Sequence, residues 1–81
     1  MNGLRVYINP VNTDARDNHS VFYSRRGDGP YYLWRYEEGI RQWLFSRVTP
    51  SNDSTLKALC VASWKTVPIA LQVRLKEHYL E

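Results

Sequence analysis

The sequence predicts an α+β fold: a small antiparallel β-meander of three to four strands within residues 4–48, followed by two C-terminal helices within residues 53–80, packed on one face. Three observations predict it. Within residues 4–48, "LRVYI" alternates with period two and the later runs are β-branched and aromatic, punctuated by Gly, Pro and Asn, the pattern of short strands joined by turns. After "TPSNDS" (49–54), which offers several N-cap residues, the apolar spacing becomes helical. The 81 residues, 43% hydrophobic and 23% charged, are enough for a single domain and one core.

The elements follow in order. "LRVYI" (4–8) sets Leu4, Val6 and Ile8 against Arg5 and Tyr7, as in a half-buried strand. "NPVNTDARDNH" (9–19) is a polar loop, and "SVFYSR" (20–25) is a second strand of β-branched and aromatic residues. "RGDGP" (26–30) ends it, because glycine accepts positive φ and Pro30 has no N–H to donate. "YYLWRY" (31–36) and "IRQWLFSRV" (40–48) are strands three and four, joined at Glu37, Glu38 and Gly39. A helix through 31–47 is disfavoured by Gly39 in mid-span and by the many aromatic residues. "TLKALCVASWKTV" (55–67) carries Leu56, Leu59, Cys60, Ser63, Trp64 and Val67 on one helical stripe. Pro68 closes that helix and suits the first turn of the next, "PIALQVRLKEHYL" (68–80).

The hairpin of strands three and four decides which aromatic side chains meet solvent, since a one-residue slip reverses every side chain of a strand. A three-residue loop with Gly39 in the left-handed region sets Tyr36 opposite Ile40 and Trp34 opposite Gln42. A two-residue loop pairs Trp34 with Trp43 but forces Glu38 to positive φ, at about 1–2 kcal/mol. Glycine lies where the three-residue loop needs it, so that register is expected. In either case Ile40, Leu44 and Val48 share one face of strand four, and Arg41, Trp43, Phe45 and Arg47 share the other. Arginines are costly to bury without partners, so the aliphatic face is expected to meet the helices. The outer face then becomes a partner-binding platform of Tyr31, Arg35, Arg41, Trp43, Phe45 and Arg47. The alternative is that the N-terminal loop or the second helix covers these aromatics while the arginine stems snorkel.

Other chemistry finds little support. The single Cys60 permits no internal disulfide and completes no Cys-based zinc site. It sits on the apolar stripe of the first helix, where a buried small hydrophobe is expected. His19 and His78 lie far apart in sequence, and His78 near a helix C-terminus suits the helix dipole. Asp14 and Asp17 miss the calcium-loop spacing, and Gly27 and Gly29 open no phosphate loop. No enzyme, cofactor or metal is therefore expected.

A net charge of +3, with eight Arg against three Lys, permits an anionic partner without demanding one. "MNGLRVYINPVN" lacks the apolar core of a signal peptide and no apolar run is long enough to span a membrane, so a cytoplasmic protein is expected. Over eight residues, "WRYEEGIR" (34–41) resembles the β-hairpin in the arm-type DNA-binding domains of tyrosine recombinases, a generic pattern that assigns no family. The expected function is a small protein-interaction module, since Trp, Tyr and Arg dominate interface energetics, and an acidic partner would relieve the like-charge pair of Arg35 opposite Arg41 that the expected register brings. The alternative is a nucleic-acid-binding domain that stacks bases on the same face.

Overall fold

The computed structural model describes residues 2–9 and 20–80. The expected loop at 10–19, with Asp14, Asp17 and His19, lies outside the described residues. Strands β1 (Leu4–Ile8), β2 (Val21–Arg26), β3 (Tyr31–Glu37) and β4 (Gln42–Val48) form the expected antiparallel meander. A fifth strand, β5 (Cys60–Val61), adds to the free side of β1, giving the sheet order β4-β3-β2-β1-β5. One α-helix, α1 (Ile69–His78), starts after Pro68 and lies on one side of the sheet. No helix among the described residues is long and apolar enough to cross a membrane.

The fold is thus α+β, but with five strands and one α-helix among the described residues where three to four strands and two helices were expected. The first expected helix is replaced by 3-10 turns at Ser54–Ala58 and Trp64–Thr66 with β5 between them. The physical reason is distance and pairing. The chain leaves β4 at one edge of the sheet and must reach the far side of β1, at the other edge, about 19 Å away across four strand spacings. A helix over residues 49–59 would rise only about 16 Å. On arrival Cys60 and Val61 pair with Ile8 and Tyr7, and the Ala62 N–H donates to the Val6 carbonyl (2.7 Å), supplying the ladder β1 would otherwise lack. Cys60 consequently ends exposed, not buried on a helical stripe.

The crossing segment runs over the face of β2 that carries Tyr23. Asp53 caps the first 3-10 turn through the Thr55 N–H (3.1 Å) and accepts the Tyr23 hydroxyl at Oδ2 (3.0 Å), while Thr55 Oγ1 lies 2.7 Å from that hydroxyl. Tyr23 is buried as a result, and burial pushes its phenol up from the ordinary tyrosine value. The hydrogen bond from Thr55 leads the effects that hold the Asp53 carboxyl below its ordinary value.

The core lies on the opposite face, between sheet and α1. Val6, Phe22, Trp34 and Trp43 from four adjacent strands meet Val67, Leu71 and Leu75. Leu71 and Leu75, one helical turn apart, are fully buried. The alternation expected for β1 holds, with Val6 buried and Ile8 packed against the core.

Candidate functional site

The hairpin closes in neither of the two expected registers. Glu37 pairs with Gln42, so residues 38–41 form a four-residue loop, and the left-handed residue is Arg41 (φ 53°) rather than Gly39. That conformation costs a residue with a Cβ about 1–2 kcal/mol. The return is two aromatic cross-strand pairs, Trp34 with Phe45 (ring centroids 5.0 Å) and Tyr36 with Trp43 (5.4 Å). Each adds about 0.5–1.5 kcal/mol beyond the area it buries. Together they outweigh the strained loop residue.

This register reverses strand four. Trp43, expected on the outer face, is 5% exposed beneath α1, whereas Ile40 stands in the loop at 58%. Phe45 and Arg47 alternate onto the helix side with it, and Leu44 turns outward. The argument from buried arginines fails for a local reason. Arg41 is a loop residue outside the strand, and Arg47 lies at the strand's end, where it remains exposed. Of the six expected platform residues, the outer face keeps Tyr31 and Arg35; Arg41, Trp43, Phe45 and Arg47 lie elsewhere.

What joins Tyr31 and Arg35 there comes from the first two strands. Register places Arg5, Tyr7, Tyr23 and Arg25 on their side of the sheet. Arg5 stands directly opposite Arg25, a like-charge cross-strand pair. Arg25 is fixed: its Nε donates to the Gly29 carbonyl (2.7 Å), and its guanidinium lies 4.6 Å from the Tyr31 ring centroid. Tyr7 stands 6.2 Å from Tyr31, ring to ring. Arg35 is exposed and pairs with Glu37 (3.0 Å), the one carboxylate at an outer-face strand position. The period-two reading of "LRVYI" already placed Arg5 and Tyr7 away from the core. Arg25 follows from the same alternation once Phe22 and Ser24 are seen to point inward.

On the helix side, His78 closes a cluster of rings: Tyr32 (4.5 Å), Phe45 (4.7 Å), Tyr79 (4.7 Å) and Trp34 (5.5 Å). Burial, with a smaller contribution from the Arg74 charge, lowers its pKa below the ordinary 6.5, which favours the neutral ring in this packing over a cation complementing the helix end. Because the folded-state value is depressed, the unfolded chain takes up the proton first. Stability is intact above about 6.5 and is lost as pH falls below it. The thermal midpoint should therefore fall between pH 7 and pH 5, and His78→Phe should flatten that slope. An equally steep slope in the variant would assign it to other groups.

Cys60 sits on β5 at one end of the strand order, whereas His78 contacts β3 and β4 at the other. Thiol and imidazole are not brought together. Among the described residues no three His, Cys, Asp or Glu side chains gather where they would hold a metal ion. Comparison with protein-family models, with curated proteins and with solved structures finds no match to this chain.

Proposed function

We propose that the chain is a non-enzymatic protein-interaction module that docks an acidic partner segment on the outer face of its sheet. The observation that supports this reading is the charge pattern of that face: Arg5, Arg25 and Arg35 against Glu37 at strand positions and Asp53 of the crossing segment, which is engaged with Tyr23. The Arg5–Arg25 pair is mildly unfavourable in the free protein, and an acidic partner would turn that cost into complementarity. Tyr7 and Tyr31 beside them supply rigid aromatic contact area. The nucleic-acid reading shares the arginines but loses its best stacking ring, because Trp43 is covered by α1.

The test is a double charge reversal, Arg5→Glu with Arg35→Glu, assayed against a panel of glutamate- and aspartate-rich peptides and against mixed-sequence oligonucleotides at low and moderate salt. Both side chains are exposed, so the variant's stability should stay within about 1 kcal/mol of the parent. Acidic-peptide binding should weaken by about tenfold or more. Oligonucleotide binding that collapses steeply with salt would transfer the face to nucleic acid. Peptide binding unaffected by the reversal would remove the outer face from consideration.

A further inference from the structure

The two edges of the sheet are unlike. β5 is two residues long, and brevity is one way an edge is protected from pairing with another chain. β4 is seven residues of "QWLFSRV", with no Pro, no Gly and one charge, Arg47, near its end. Its own residues supply no proline, lysine or central charge, and the helix contact to this edge that the structure shows is Arg74 of α1 at the Trp43 carbonyl.

The hydrogen-bond phase of the ladder says which backbone groups face the open side. The Tyr36 N–H donates to the Ser20 carbonyl (3.0 Å), so Tyr36 directs its backbone groups at β2. In an antiparallel ladder this direction alternates, so Leu33 and Arg35 aim theirs at β4 and bond Ser46 and Leu44. Trp43, Phe45 and Arg47 must then aim theirs away from β3. A separate contact agrees: Arg74 Nε on α1 donates to the Trp43 carbonyl (3.3 Å) from that open side. Beside this row Phe45 is 45% exposed although its ring also touches the core aromatics.

We infer that the β4 edge pairs with β4 of a second copy of this chain, antiparallel and centred on Phe45. The strand is self-complementary in that arrangement. Phe45 meets the partner's Phe45, and Trp43 and Arg47 of each copy meet Arg47 and Trp43 of the other, so every residue with outward backbone groups finds one of the same phase. Leu44 comes opposite Ser46, and Gln42 opposite Val48. The strand's one charge falls beside an aromatic residue rather than its own copy, avoiding the like-charge clash that a shifted register would bring. The Trp43 carbonyl has two lone pairs and can keep Arg74 while accepting the partner's N–H. Two five-stranded sheets would then run as one, with both arginine faces on display. A single strand pair buries little area, so the dimer is weak and concentration-dependent.

Sedimentation of the full chain from about 10 μM to about 1 mM, with amide hydrogen exchange at both limits, tests this. The expected result is a shift from monomer to dimer, with the Phe45 and Arg47 amides at least tenfold better protected at the high concentration. Arg47→Pro removes only an outward N–H, so it should spare the β3–β4 ladder and abolish both effects. Should that variant not fold, Ser46→Lys places a charge beside the seam on an exposed position and should act alike. A chain that stays monomeric throughout overturns the inference. So does a dimer in which the amides of residues 45 and 47 exchange as in the monomer, or one that survives both variants.

Discussion

Trp43→Ala should cost about 3–5 kcal/mol of unfolding free energy, the range for emptying a buried indole site, whereas Leu44→Ala, one residue along, should cost about 1 kcal/mol. Trp43 is 5% exposed, packs against the tilted Tyr36 ring at 5.4 Å and meets Phe22 edge-on at 5.8 Å, all on the side covered by α1. Leu44 is half-buried on the opposite face, so less apolar area leaves water when it packs. Urea titrations at unchanged slope give the two values. The ratio between them matters more than either number, because it reads strand orientation directly. If Leu44→Ala proved the more damaging, Trp43 would be the outward residue and the four-residue hairpin would be wrong. For an 81-residue domain with about 4–12 kcal/mol of total stability, the Trp43→Ala loss is a large share of the whole.

The meander was legible because its signal is local. "LRVYI" alternates cleanly, "SVFYSR" is β-branched and aromatic, and the glycines of "RGDGP" mark a break that the structure places between Arg26 and Tyr31. The second helix was legible from Pro68, which suits a first turn; that Leu71 and Leu75 are the pair it buries was not, since its apolar residues spread over a wide arc. The segment at 55–67 misled because its apolar spacing is helical while its destination is not. Edge-to-edge travel and the open ladder of β1 are tertiary demands, and they overrode local preference. The hairpin misled for a related reason. Gly39 suggests where a turn should bend, but the aromatic pairs of Trp34 with Phe45 and Tyr36 with Trp43 reward a register two residues beyond the tighter loop, and Arg41 bears the strain. Four of the six expected platform residues, Arg41, Trp43, Phe45 and Arg47, went with that slip. Tyr31 and Arg35 were placed on the outer face by the first register and remain there, since the observed one also sets odd-numbered residues of β3 outward.

The other large effect belongs to Trp34, which is 1% exposed on the strand flanked by β2 and β4. Its ring packs on Phe45 and His78, and its Nε1–H donates to Ser24 Oγ at 2.8 Å. Ser24 Oγ in turn lies 2.7 Å from the Tyr79 hydroxyl, so a buried polar chain ties β3 through β2 to the residue that follows α1. Trp34→Ala should cost about 3–5 kcal/mol through the cavity alone. Ser24→Ala removes far fewer atoms yet should still cost about 1–3 kcal/mol, because it strands the indole N–H and the Tyr79 hydroxyl away from water. Trp34→Phe should fall below Trp34→Ala: the ring contacts persist and Ser24 keeps Tyr79 as its partner. The indole bond and the tyrosine bond share one oxygen, so the two losses should not add. The double variant Trp34→Phe with Ser24→Ala should be less damaging than the sum of the singles, since no indole N–H remains to be stranded. Strict additivity in that cycle would mean that the Trp34–Ser24 hydrogen bond contributes nothing, and that packing alone holds the centre of the sheet.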